Sequence, residues 1–127
     1  MDLIAEDYAN EPVKYPALEF IDVAAEGSAV TEHYRNLVLS RVNDHCLRLA
    51  VFDEDYDWHY HPASDEIFVV VSGCLAIDLE DHREVRLYPW QFMMVPAMTI
   101  HRTRALGRTV NLCFEKLGAE TVFVRGL

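Results

Sequence analysis

At 127 residues, with 51% hydrophobic and 25% charged side chains, the chain has the size and composition of one globular domain that buries a core without staples. Its 21 acidic against 11 basic side chains give a net charge of −10, which repels phosphate backbones and anionic membrane surfaces, so neither nucleic acid nor membrane is expected as a partner. No apolar run approaches the ~20 residues of a membrane helix, and the opening residues lack the basic and apolar regions of a signal peptide, so a cytoplasmic protein is expected.

Residues 1–19 are acidic, carry Pro12 and Pro16, and follow neither a helical nor a strand period; they read as an extended N-terminal arm of the kind that packs on a neighbour. Residues 20–35 can form a short helix, interrupted at Gly27 and Ser28. From Leu37 onward the texture changes to short runs rich in Val, Ile, Leu, Phe and Thr. Strands are expected at 37–41, 46–52, 57–61, 66–73, 74–79, 84–88, 92–95, 101–105, 109–115 and 121–125, the pattern of an all-β sandwich or barrel. Ser72–Gly73, Glu80–Asp81–His82 and Gly107 separate neighbouring runs as hairpin turns would. The run at 67–73 is apolar on both faces, which calls for cover from a second sheet or from a partner subunit and makes a homodimer the expected assembly. Residues 20–127 thus form one domain behind the arm.

Cys46, Cys74 and Cys113 are odd in number and widely spaced, so they indicate neither a disulfide framework nor a cysteine metal site; each reads as a buried thiol. The acidic run Asp53, Glu54, Asp55 and Asp57 lacks calcium-loop spacing and reads as a solvated turn, while His33, His45 and His82 read as ordinary exposed histidines.

Chemistry is concentrated in WHYHPASDEIFVVVSG at 58–73. On a strand, His59 and His61 point to one face while Tyr60 points away. Residues 62–65 supply a turn, after which Glu66 can return a carboxylate to the two imidazoles. His101, at the start of a later strand, can add a third. Three nitrogens and one carboxylate oxygen suit one divalent transition metal, whether Fe, Mn, Ni, Zn, Co or Cu, and leave positions open for water or substrate.

His59, His61, Glu66 and Gly73 stand at the intervals of the first motif of the cupin family, and this stretch resembles it closely. The second cupin motif is partly present at 87–103: Pro96 and His101 occupy their slots. Trp90 and Met98 replace its two glycines, Ala105 an asparagine, and Asp53 a glycine upstream of the first motif. Those departures put the turn shapes in question, since glycine there serves positive φ. The resemblance covers roughly residues 37–115 and is to small single-domain cupins of the conserved-barrel, mannose-6-phosphate-isomerase-like kind. It implies a double-stranded β-helix (jelly-roll) barrel with the metal inside one open end, and homodimers formed by sheet-edge and arm exchange.

Alternation from the ligands puts Phe68 and Val70 on the face of Glu66, and Thr103 on that of His101. Phe92 and Met94 share a strand face that can turn inward, and Trp58 and Trp90 can border the mouth. Arg48 alternates with the aliphatics of CLRLAVF, where its guanidinium would either hold a substrate carboxylate or stand exposed. Arg48, Phe68, Phe92, Met94 and Thr103 are therefore the candidate small-molecule contacts. Neither a catalytic-serine elbow nor a phosphate loop occurs. Two readings follow: a metal-dependent enzyme on a small organic molecule, in which dioxygenase, isomerase and cyclase chemistry stay open, or a non-catalytic binder that grips its ligand through the same metal.

Overall fold

In the computed structural model, which describes residues 3–6 as backbone and 11–127 in full, the chain runs β1 (Leu3–Glu6), α1 (Val23–Ser28), β2 (Tyr34–Val42), β3 (His45–Phe52), β4 (Asp55–Tyr60), β5 (Glu66–Ser72), β6 (Leu75–Leu79), β7 (Glu84–Leu87), β8 (Phe92–Val95), β9 (His101–Ala105), β10 (Thr109–Lys116) and β11 (Thr121–Val124). Every strand expected from Leu37 onward is present, shifted by a few residues at most. Two antiparallel sheets form the jelly roll, in the orders β1-β11-β4-β9-β6-β7 and β2-β3-β10-β5-β8. The helix is confined to one and a half turns, capped by Asp22, whose carboxylate accepts the Ala25 N–H at 3.2 Å.

The described part of the N-terminal arm packs on this chain. Residues 1, 2 and 7–10 of it lie outside the described residues. Of the rest, β1 pairs with β11, Val13 bridges Val38 in parallel, and the Lys14 and Tyr15 N–H groups donate to the Val38 and Leu39 carbonyls at 2.9 and 3.0 Å. The arm thus covers the β11 edge of one sheet and part of the β2 edge of the other, whose backbone groups would otherwise lack partners.

Between the sheets lies the main core: Phe52, Phe68, Val70, Leu75, Ile77, Leu79, Leu87, Val95 and their neighbours. Burying each such side chain contributes about 1.5–3 kcal/mol. A second cluster sits outside the five-stranded sheet, where Ile21, Val23 and Val30 cover Leu39, Leu49 and Val51 together with Val110 and Leu112. Because this face of β3 and β10 is sheathed, their aliphatics point outward and their inward face is free to carry polar groups.

At two of the three replaced motif glycines the backbone still takes the left-handed conformation. Trp90 and Met98 both sit at φ 67°, in the left-handed region, whereas Asp53 keeps a negative φ. The N–H groups of Trp90 and Met98 tie their turns to distant segments, Trp90 onto the Val70 carbonyl at 2.7 Å and Met98 onto the His61 carbonyl at 2.9 Å. Gly73, the glycine that the motif retains, combines φ +84° with a tight approach: a Cβ there would lie 2.5 Å from the Arg108 carbonyl oxygen.

Candidate metal centre

The site is assembled at one end of the barrel from both sheets. His59 comes from β4 and His101 from the first position of β9, in direct register with each other. His61 follows β4, and Glu66 opens β5 in the opposite sheet. A bulge between Tyr56 and His59 shifts the register of β4 against β9, so that Tyr56 faces Thr103 and lines the cavity while Asp55 and Asp57 stay exposed. The Asp65 carboxylate accepts the Ala97 N–H at 2.9 Å, which ties the turn carrying Met98 to the loop between His61 and Glu66.

One ligand atom from each of His59, His61, Glu66 and His101 lies within 4.8 Å of the others, and all four residues are buried. Each imidazole turns its Nδ1 to a backbone carbonyl: His59 to Asp57 at 2.6 Å, His61 to Glu120 at 3.0 Å, His101 to Thr99 at 2.8 Å. A carbonyl only accepts, so every Nδ1 carries the proton and every Nε2 is left for another role, the second-sphere pattern of metal-bound histidines. The Nε2 atoms of His61 and His101 and the Oε1 atom of Glu66 are buried without a hydrogen-bond partner. His61 Nε2 and Glu66 Oε1 stand 3.1 Å apart, a close charge contact whose alignment falls short of a hydrogen bond. Orphaned inward-facing donor atoms with fixed outer partners are what a divalent transition ion requires, so the residues present fit one.

Burial, with the neighbouring His101, pushes His59 down to about 3, and burial lowers His101 as well. Burial acts against protonation of His61 too, but the Glu66 carboxylate outweighs it and holds His61 up at about 9. Glu66 is lowered correspondingly: its burial is overcome by His61 and the other imidazoles. Without an ion the site therefore holds one proton between His61 and Glu66, and the other two imidazoles are neutral.

Beside the ligands lies a cavity of about 60 Å³ whose wall includes three of the candidate contacts, Arg48, Phe68 and Thr103, together with Tyr34, Asn36, Tyr56, Asn111, Cys113 and Glu115, which the sequence reading missed. Phe92 and Met94 are a correction. In the β5–β8 ladder Glu66 and Phe68 pair with Val95 and Met93, so the intervening Phe92 and Met94 point outward, 65% and 47% exposed. Trp90 is exposed as well, and Trp58 lies under Arg102 at 5.0 Å outside the barrel.

Arg48 is 3% exposed, which removes the alternative of an exposed position. Its Nε donates to Glu115 at 2.9 Å, and its Nη1 to Glu11 at 2.7 Å and to Asn36 at 2.8 Å. Burial raises the Glu115 carboxyl, reinforced by the Glu66 charge and opposed by Arg48. Cys113 is kept a thiol by burial and by the two nearby carboxylates. The Asn111 amide donates to Cys113 Sγ at 3.1 Å, while its carbonyl oxygen is buried without a partner. The missed residues had a signal: in β10, Thr109, Asn111, Cys113 and Glu115 alternate with Val110, Leu112 and Phe114, a strand whose polar side faces in.

A jelly roll that gathers three histidines and a glutamate in this way defines a metal-binding barrel protein. The chain belongs to the cupin family: the family's cupin domain matches residues 50–114. It is 48% identical over 103 residues to the protein YdbB of Bacillus subtilis, covering 81% of this chain and 91% of that one. Its fold is similar to that of NMB1881 from Neisseria meningitidis, with a TM-score of 0.70, 24% identity, and coverage of 77% of this chain and 99% of that one. It is also similar to a cupin-2 domain protein from Shewanella frigidimarina, with a TM-score of 0.69, 23% identity, and coverage of 76% and 93%.

Proposed function

We propose that this cupin is a metal-dependent protein that acts on a small organic molecule, with His59, His61, Glu66 and His101 holding one divalent transition ion and the adjoining cavity holding the molecule. One observation carries the reading: buried, unpartnered ligand atoms of His61 and Glu66, with that of His101 beside them, stand at a cavity with both apolar and polar walls. A bound ion supplies Lewis acidity toward a chelating oxygen or, if iron, oxygen chemistry. This chain's own part is to fix the imidazoles through the Asp57, Glu120 and Thr99 carbonyls and to exclude bulk water with Phe52 and Phe68. Its Cys113, held as a thiol, offers no nucleophile in that state, so the wall binds and orients. That same feature also favours the second reading, a metal-assisted binder without turnover.

The test is elemental analysis of protein purified without added metal, alongside His61→Ala and His101→Ala. We expect about one ion per chain and loss of most of it in either variant, because losing one imidazole removes a quarter of the ligand set. Unchanged stoichiometry in both variants rejects the site. Oxygen uptake and turnover trials on the loaded protein then separate enzyme from binder.

A homodimer is part of the same proposal. Phe92 and Met94 stand exposed opposite the half-buried Val69 and Ile67, which makes an apolar patch at the edge of the five-stranded sheet. Phe92→Glu with Met94→Glu should convert a dimer to monomer in light scattering; a wild-type monomer would dismiss the assembly.

A further inference from the structure

We infer that the cavity's ligand is a small carboxylate and that Glu11 is the internal carboxylate it replaces on Arg48. The inference rests on the reading of this cavity as a small-molecule site, but not on which metal adjoins it.

Arg48 stands in the middle of β3, buried in the cavity wall, and a guanidinium so placed stays charged and requires a compensating anion. Among the described residues two carboxylates meet it, and they are held very differently. Glu115 belongs to β10, which is laddered on one side to β3 and on the other to β5, so its backbone cannot leave. Glu11 precedes Pro12 on the segment that joins the edge of β2 through the Val13–Val38 bridge and the Lys14 and Tyr15 N–H groups. Further along, that segment is secured by Lys14 and Tyr15 on Glu26. Only one oxygen of Glu11 is used on the guanidinium; its Oε2 is buried with no hydrogen-bond partner. A buried acceptor without a donor loses its hydration for nothing in return, so Glu11 binds Arg48 less well than a carboxylate that engages both oxygens.

Charge decides the class of molecule that can take its place. Exchange of Glu11 for a ligand carboxylate leaves the guanidinium compensated, and the released Glu11 side chain regains water. A neutral ligand in the same position would take one carboxylate away from Arg48 and give none back, and a cation would be repelled by the guanidinium. Size limits the molecule further. A cavity of about 60 Å³ admits only a few heavy atoms. The orphaned Asn111 carbonyl oxygen on the same wall is one more acceptor, ready for a ligand hydroxyl.

The experiment titrates acetate, with acetamide as the uncharged control, into the full chain in unloaded and zinc-loaded form, comparing wild type with Glu11→Ala. If the internal carboxylate occupies Arg48 in nine molecules of ten or more, its removal raises acetate affinity by at least about tenfold and leaves acetamide unchanged. In the wild type, saturating acetate should speed hydrogen exchange at the Lys14 and Tyr15 amides, and this measurement decides the matter if Glu11→Ala does not fold. Equal acetate affinity in the two proteins, an equal gain for acetamide, or unchanged exchange at both amides overturns the inference. Failure of the metal reading would show instead as missing metal, and would leave the comparison in unloaded protein intact.

Discussion

Metal binding at this site should release a single proton at neutral pH, and that proton should come from His61. The unloaded centre places His61 Nε2 3.1 Å from Glu66 Oε1, and the carboxylate keeps the imidazole protonated up to about 9. An incoming ion must displace that proton. At pH 7 the displacement spans two pH units, or about 3 kcal/mol, so affinity should be about a hundredfold weaker than its high-pH limit. His59, held down at about 3 by burial, and His101, lowered likewise, already present neutral nitrogens. Affinity should therefore rise tenfold per pH unit from pH 6 to pH 8.5, with unit slope. Three ordinary exposed imidazoles would instead steepen the dependence below about 6.5, as each contributed its own proton. Calorimetric titration of zinc in buffers of different ionisation enthalpy counts the protons directly. No proton released at pH 7, or a slope near three below pH 6.5, would refute the charge state assigned to the unloaded site.

Linkage gives the unloaded protein a stability optimum. His59 has a depressed folded value, so its contribution is present above about 6.5 and is lost as pH falls toward 3, at about 1.4 kcal/mol per unit. His61 has a raised one, so its contribution is whole below about 6.5 and is lost as pH climbs through 9; urea melts across this range should show both flanks, and zinc should abolish the alkaline one. Gly73→Ala should cost about 3 kcal/mol or more, since the added Cβ meets backbone at 2.5 Å on a φ of +84°; a shift in thermal midpoint under two degrees would contradict this. Met98→Gly should be neutral or stabilising by up to about 1 kcal/mol, because relief of the left-handed strain exceeds the entropy that glycine adds. A clear loss in its chemical melt would show that the side chain packs where exposure says it does not.

The ligands and the strands were legible because both depend on short-range periodicity. Strand alternation together with the intervals of the cupin motifs brought His59, His61, Glu66 and His101 together, and alternation located every strand from Leu37 on. Two kinds of residue escaped. Phe92 and Met94 were put on a face that could turn inward because they are apolar, yet it is register with β5 that decides which side of β8 faces in, and a one-residue step reverses it. Tyr56 was hidden by the bulge in β4, which local sequence does not announce. Glu115 and Asn111 escaped because the apolar side of their strand is the outer one. Here the helix and N-terminal segment cover the outer face of β3 and β10, so the inner face is left for chemistry.

Buried polarity is where this fold departs from what stability alone would select. Arg48, His59, His61, Glu66, His101, Thr103, Asn111 and Glu115 are all buried, and all but His101 line one continuous cavity, with His101 at its metal end. In most domains such groups would be more stable as well-packed apolar residues of similar volume, because hydrogen bonds recover only part of the lost hydration. The main apolar core meets the cavity at Ala50, Phe52, Phe68 and Cys113 and extends away from it toward Leu75 and Ile77, and a second core lies beneath α1. The barrel can therefore fold around an incompletely satisfied interior and leave the deficit to be met by an ion and a ligand. On that view binding and stability are coupled: zinc and a small carboxylate, added together, should raise the melting temperature by more than either alone.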